Sequence, residues 1–178
     1  MNKEMKKILV VSDNHGNMNV LEDLVYIYEE EVDVFLHCGD SEALPTDSIW
    51  KTFQTVRGNM DVHGAFPDSY SLSFDGKEIF MTHGHKYQVK STIDILSETA
   101  KDKQADLVLF GHSHVPYCEE KEGRVFINPG SISLPKGPNP EKTYVIIEST
   151  DSHIHVHYYN DQHKKVQGFD KEFNLKSK

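Results

Sequence analysis

The sequence predicts an α/β protein in which two mixed β-sheets pack face to face, flanked by helices. Three observations carry that prediction. Short apolar runs that stop at glycine alternate with helix-spaced segments in the first half. Asp75-Gly76 sits between two alternating runs, a two-residue hairpin signal that makes the sheet partly antiparallel. From Pro116 onward the chain reads as strands only, a β-meander. A chain of 178 residues is one domain of ordinary size, able to bury a full core without staples. We place that domain at residues 1–160, and expect partial order at best from the polar tail 161–178, anchored by Phe169 and Phe173.

The first strand is Ile8 to Ser12. Asn17 is placed to cap a helix in which Val20/Leu21, Leu24/Val25 and Ile27/Tyr28 recur at helical spacing. Val32 to Cys38 is a second, buried strand that delivers Gly39-Asp40 to the edge of a sheet, where ligands of open α/β folds bind. Ser41 to Trp50 is loop with at most a short helix, and Thr55 to Arg57 a third strand. Ser69–Phe74 and Lys77–Met81 form the hairpin. Ser91 to Asp94 resembles a capping box for a helix ending near Gln104, and Leu107 to Phe110 follows as a strand. The meander comprises Tyr117–Glu120, Arg124–Ile127, Tyr144–Glu148 and His153–Tyr159, with Asn128 to Ser131 as a loop.

Composition excludes several classes. Hydrophobic residues at 37% and charged residues at 26% describe a globular chain and not a disordered one. No apolar run approaches the roughly 20 residues that span a bilayer, and Met1 to Lys7 has no apolar segment suited to a signal peptide, so a cytoplasmic protein is expected. Two cysteines provide no disulfide framework, and both are read as reduced thiols. A net charge of -9 opposes non-specific nucleic-acid binding. Bound divalent ions would reverse that sign locally and admit an anionic substrate. Self-association into a homo-oligomer is left open.

Five strand-like runs end in metal-ligand residue types. They lead into Asp13-Asn14-His15, Asp40, Gly58-Asn59, His83-Gly84-His85 and Gly111-His112-Ser113-His114. One such pair alone reads as an ordinary turn, since Asp and His are common at strand ends. Independent turns have no reason to collect Asp, His, Asp, Asn, His, His and His at one edge. Asp40 lies in the middle of the set and is read as a carboxylate shared by two metal ions.

These residues resemble the calcineurin-like metallophosphoesterases, in their small YfcE-like bacterial and archaeal branch, with the motifs in family order from about Ile8 to Tyr159. The resemblance implies the α-β-β-α metallophosphoesterase sandwich. It also implies that Asp13, His15 and His114 hold one metal, that Asn59, His83 and His112 hold the second, and that Asp40 bridges them. Imidazole, carboxylate and amide donors without thiolate suit Mn²⁺, Fe, Ni²⁺ or Zn²⁺ alike, and of these Mn²⁺ is the ion expected. The expected reaction is hydrolysis of a small-molecule phosphoester, with a metal-bridging hydroxide attacking in line with the leaving group and Asp40, Asn59 and His83 at the reacting centre.

The wider family continues Gly-Asn with a His that serves the leaving oxygen, whereas here Met60 follows Asn59 and cannot donate a proton. By family analogy this favours phosphodiesters over monoesters. His85 or His63 is a minority candidate to replace it. Arg57 fits a phosphate clamp or an ion pair locking a strand end, with neither preferred. His153, His155 and His157 share one strand face; a polar outer face is the commoner explanation and a second metal site the rarer one. Cys38 lacks a base at matching spacing and reads as a buried filler. A different class remains as the alternative: an interaction scaffold of the same fold, like a eukaryotic retromer subunit with a degraded metal site. All seven ligand positions are filled here, which favours the enzyme.

Overall fold

Alternation of apolar faces sets the layers. In the computed structural model, which describes residues 5–62 and 64–177, the order is β1 (Lys6–Val11), α1 (Met18–Tyr28), β2 (Val34–His37), a 3-10 turn (Ser48–Lys51) and β3 (Phe53–Thr55). Then come β4 (Ser69–Phe74), β5 (Lys77–Thr82), a 3-10 turn (His85–Tyr87), α2 (Asp94–Asp102) and β6 (Leu107–Leu109). The chain closes with β7 (Tyr117–Lys121), β8 (Arg124–Asn128), β9 (Thr143–Ser149), β10 (His153–Asn160) and β11 (Lys171–Asn174). One sheet runs β11-β10-β9-β1-β2-β3 and the other β4-β5-β6-β8-β7.

Ile8 and Val10 of β1 point between the sheets, where they meet Leu36, Ile79, Met81, Leu107, Leu109, Val125 and Ile127. Leu9 and Val11 point the other way, onto Leu21, Leu24 and Tyr28 of α1. Phe80, Val108 and Phe126 pack against Leu96 and Ala100 of α2 on the far face of the second sheet. Strands covered on both faces read as unbroken apolar runs, which is why Ile8 to Val11 shows no alternation. The result is the expected α-β-β-α sandwich.

Both sheets are mixed. β1, β2 and β3 are parallel to one another, as are β5, β6 and β8. β9, β10 and β11 extend the first sheet antiparallel, and β4 and β7 form the antiparallel edges of the second. Parallel pairing brings the C-terminal ends of β1, β2 and β3 to one edge, and those of β5 and β6 likewise.

Local details differ from expectation. Asn17 precedes α1 but its side chain makes no capping bond; Asn14 Nδ2 instead donates to the Asn17 carbonyl at 3.2 Å. The capping box at Ser91 is not formed, because Ile93 occupies the cap position and Thr92 Oγ1 accepts from the Asp94 N–H at 3.1 Å. The tail, expected to be partly ordered at best, contributes β11 at the sheet edge, with Phe173 opposite Ile154 and Leu175 buried in the core between the sheets. Lys77 anchors it: the buried ammonium donates to Thr150 O at 2.7 Å, Ser149 Oγ at 2.8 Å and Ser177 Oγ at 3.2 Å.

Tyr158 of β10 crosses between the sheets, its buried hydroxyl lying 2.6 Å from Asn128 O and 2.9 Å from Tyr117 O. Tyr158→Phe should cost about 1–2 kcal/mol by leaving buried carbonyls short of a donor. Urea unfolding with an unchanged denaturant slope is the measurement, and a cost near zero would show that this tie contributes nothing.

Candidate metal centre

Each predicted ligand except Asn59 is buried or partly buried where a strand has just ended. Five of them have left-handed backbone: Asp13 (φ 56°), His15 (44°), Asp40 (60°), His112 (70°) and His114 (62°). A non-glycine residue there is strained by about 1–3 kcal/mol and persists only where its surroundings hold it. Here the holding is done by a ladder between loops, with Asp13 N bonded to Gly39 O at 3.0 Å, His15 N to Asp40 O at 3.1 Å and Gly16 N to Ser41 O at 2.8 Å. The sharp bends let residues two apart turn to one point, which straight strands would not allow.

Two groups form. Donor atoms of Asp13, His15 and His114 lie within 4.8 Å of one another, and so do those of Asp40, His83 and His112. Asp13 Oδ1 is 3.2 Å from His114 Nε2, 3.7 Å from His15 Nε2 and 3.8 Å from His83 Nε2, which joins the groups. Asp40 Oδ2 lies 3.2 Å from His83 Nε2. The imidazoles are aimed from behind: His83 Nδ1 donates to Cys38 O and His114 Nδ1 to Leu134 O, both at 2.7 Å, while His15 Nδ1 is 3.0 Å from Glu42 Oε2. That leaves the Nε2 lone pairs facing inward, the orientation metal-bound histidines have.

Asp13 Oδ1 and His83 Nε2 are buried without a hydrogen-bond partner. Unsatisfied buried groups of this kind are costly in a folded chain. A divalent cation supplies the missing partner, so the donor set fits metal. Asn59 occupies the exposed turn after Gly58, next to Met60, whose N–H donates to Asp40 Oδ1 at 2.8 Å.

Electrostatics follow from this crowding. Burial would raise the Asp40 carboxyl, but the His83 contact and the Met60 N–H outweigh it and hold it at about 2. Burial opposes ionisation of Asp13 too, and His114, His83 and Ser12 bring it below the usual carboxylate range. Burial and His83 lower His112 to about 4. Burial would lower His83 as well, yet Asp40 and Asp13 raise it above the ordinary histidine value.

Sequence reasoning missed the supports. Asp61 is buried and accepts three backbone N–H groups, from Gly58 at 2.7 Å, Glu42 at 2.8 Å and Asp40 at 2.9 Å. Both its oxygens face inward, so they cannot orient a side chain at position 60. Ser12 Oγ donates to Asp13 Oδ2 at 2.5 Å. The Asn128 to Ser131 loop, read only as a connection, locks the site: Asn128 Nδ2 donates to Gly111 O at 3.1 Å and Ser131 Oγ to Asp13 O at 2.8 Å. His37 accepts the Gly39 N–H at Nδ1, 2.9 Å, and therefore donates from Nε2 to Asn14 Oδ1, 2.7 Å. Only Ser131 among these lies beside a glycine, and the others carry no local signal of the partner they find.

The remaining candidates are placed as follows. Arg57 Nε donates to Asp68 Oδ1 at 3.0 Å and Lys86 joins the same carboxylate at 2.6 Å, matching the ion-pair alternative. The His85 ring centroid is 5.4 Å from that of His83 and 6.1 Å from that of His112, and its Nδ1 is buried without a partner. His63, like Met1 to Glu4, lies outside the described residues. Cys38 is buried with its thiol driven well above the usual range by burial, as a filler would be. Cys118 is also a free buried thiol, pushed to about 12 by burial.

A sandwich of this topology with histidines and carboxylates gathered at one strand edge defines a metal-dependent phosphoesterase. The family model of the calcineurin-like phosphoesterase superfamily domain matches residues 5–152, and the chain belongs to that family. A probable metallophosphoesterase of Bacillus subtilis, YsnB, is 34% identical over 160 residues, covering 90% of this chain and 94% of its own. The phosphodiesterase YfcE of Escherichia coli K12 is 28% identical over 166 residues, covering 76% and 84%. A Streptococcus pneumoniae TIGR4 protein described as a predicted phosphoesterase superposes with a TM-score of 0.93 at 33% identity, over 98% of this chain and 100% of that one. Vps29 of Cryptosporidium parvum, at 16% identity and TM-score 0.77 over 97% and 100%, shares the fold alone. Among the described residues no helix is long and apolar enough to cross a membrane.

Two outcomes are expected here. Gly58→Ala would set a Cβ 2.0 Å from Asp40 Oδ1 and 2.5 Å from its backbone nitrogen, so metal retention and activity should both fall severely while circular dichroism stays native; a fully active variant would show that Asp40 can move. His37, fully buried, is lowered by burial to about 4. The unfolded chain therefore binds more protons between that value and about 6.5, so stability is full above the unfolded pKa and falls with pH across this window, by of order 3 kcal/mol. His37→Gln should flatten that part of a stability-against-pH curve; an unchanged slope would exclude His37 as its source.

Proposed function

We propose that this chain hydrolyses phosphodiesters at two divalent ions, one held by Asp13, His15 and His114, the other by Asn59, His83 and His112, with Asp40 shared. The observation that carries this is the pair of buried atoms without a hydrogen-bond partner, Asp13 Oδ1 and His83 Nε2, facing one another across the two ligand groups. When bound, the ions would act as Lewis acids toward the phosphoryl oxygens and as the means of activating water. Nitrogen and oxygen donors support Mn²⁺, with Fe, Ni²⁺ and Zn²⁺ compatible.

The chain's own residues do the rest. Asp13 and Asp40 are ionised at neutral pH and supply the negative charge that concentrates cations at the strand edge. Cys38 is too buried and too weakly acidic to be a nucleophile, and Ser12 is tied to Asp13. Water is the attacking group that remains. Met60, 56% exposed at the rim, offers the leaving oxygen no proton. Diesters with stable leaving groups suit such a site, and the name of YfcE supports that class. The alternative is a scaffold of the same fold, with or without bound metal; the complete and mutually oriented histidines and carboxylates favour the enzyme over it.

Wild type should hold two more Mn²⁺ equivalents than Asp40→Ala by elemental analysis, and chelator should abolish turnover of an aryl phosphodiester, restored by Mn²⁺. Equal metal content would remove the shared-carboxylate assignment. Absence of turnover with every metal, on diesters and monoesters alike, would favour the scaffold. Met60→His should raise turnover of esters with poor leaving groups more than of aryl esters. The gain should fall at or below the low end of the roughly 10² to 10⁴-fold worth of a positioned acid, because Asp61 is not free to orient the ring. An equal change on both substrates would place position 60 away from the leaving group.

A further inference from the structure

Away from the strand edge that gathers the catalytic ligands, β9, β10 and the approach to β11 build a second convergence of histidine and carboxylate. His155 and His157 alternate on β10, so both project from the same face. Glu148 of β9 is the direct register partner of His155. Donor atoms of Glu148, His155 and His157 all lie within 4.8 Å of one another. The two imidazole centroids are 4.0 Å apart, with planes inclined by 38°. His153, the third histidine of the strand, takes no part and turns to Ser152 Oγ at 2.6 Å.

One contact decides how this cluster reads. Asp170, in the segment entering β11, lies 3.0 Å from Nδ1 of His157. An imidazole that gives its Nδ1–H to a carboxylate presents Nε2 as a lone pair, the arrangement that orients histidine ligands in metal sites. Nε2 of His157 is turned to Glu148 Oε1, on the side where His155 also stands. The His157 side chain is 6% exposed, while that of His155 is 40% and that of Glu148 21% exposed. The cluster thus combines a fixed ligand with two that solvent reaches. Tetrahedral ligands about 2.0–2.1 Å from zinc stand only about 3.3 Å apart, so small side-chain movements within the present spread suffice.

We infer that Glu148, His155 and His157 form a third cation site, distinct from the catalytic pair, that takes a borderline divalent ion such as Zn²⁺, Ni²⁺ or Cu²⁺. Two imidazoles with one carboxylate select this class over Ca²⁺ or Mg²⁺, which take mainly oxygen donors. Location separates it from the catalytic centre: Glu148 pairs with Lys7 near the start of β1, whereas the catalytic loop leaves the end of that strand. Neighbouring cations do not fill it. Lys7 Nζ is 4.0 Å from Glu148 Oε2, and Lys165 Nζ is 3.7 Å from Asp170 Oδ2, both at the rim. With Glu172 also opposite His155 in register, the face carries three carboxylates against those two lysines. A bound ion would link β9 to β10 and, through Asp170, to the segment that brings in β11.

The alternative is a protonated His157 bridging Glu148 and Asp170 with no ion, and the test separates the two. Chelator-stripped full-length protein is equilibrated with excess Zn²⁺, gel-filtered and analysed for zinc, as wild type, His155→Gln, Asp40→Ala and the Asp40→Ala/His155→Gln pair. His155→Gln, at a half-exposed position, should hold one zinc fewer than wild type with unchanged diester turnover after Mn²⁺ loading. The same one-equivalent difference should separate Asp40→Ala from the double variant, so the result does not depend on the catalytic assignment. Cu²⁺ bound to Asp40→Ala should show nitrogen hyperfine coupling that weakens on adding His155→Gln. Equal zinc content with and without His155 in both backgrounds overturns the site and leaves the ion-pair chain.

Discussion

A single buried carboxylate holds the turn after β2 against the turn after β3. Asp61 accepts the N–H groups of Gly58, Asp40 and Glu42, and through them it fixes a left-handed aspartate, a glycine with no room for a methyl group and the glutamate that faces His15. Each backbone donor it satisfies would otherwise be lost from water without return. The strained φ of Asp40 persists because this contact and the Met60 N–H to its own side chain determine it from both directions. The His15 loop then rests on the Asp40 and Ser41 carbonyls, so the first ligand group inherits its position from the second.

The same economy appears in the sheets. Parallel pairing of β1 with β2 and of β5 with β6 is what brings Asp13, Asp40, His83 and His112 to adjoining edges, since every parallel strand ends on the same side. The groups that hold these side chains come from far away in the chain: Asn128 at the end of β8, Ser131 and Leu134 in the loop beyond it, and Cys38 just after β2. Rigid backbone carbonyls aim the imidazoles. A site built this way tolerates little movement, and that is the property a positioned phosphoryl group needs.

The resemblance and the residues agreed on fold and family because the ligand types are local facts. Asp13, His15, Asp40, His83, His112 and His114 each follow an apolar run, and the end of such a run can be read without a partner. By family analogy the sequence offers Asp61 as the carboxylate that would orient an imidazole at position 60; its inward turn depends instead on three donors 3 to 21 positions away. Arg57 left two readings open in the sequence because a guanidinium suits phosphate and carboxylate alike; Asp68, eleven residues on, takes it at 3.0 Å. Polarity predicts a poorly ordered tail, yet edge strands need only one buried face, and Phe173 and Leu175 suffice once β10 offers an unpaired edge.

Sequence alone determined the sandwich and the gathering of metal-ligand residue types at strand ends, since periodicity and residue chemistry are properties of the chain itself; the reading of Met60 as a missing acid rests on the family resemblance. Tertiary structure decided which imidazoles are aimed by which carbonyls, which donors are left without partners, and which two of three alternating histidines join Glu148. Hydrogen-bond direction and burial belong to pairs of groups brought together by folding, and neither is encoded at any one position.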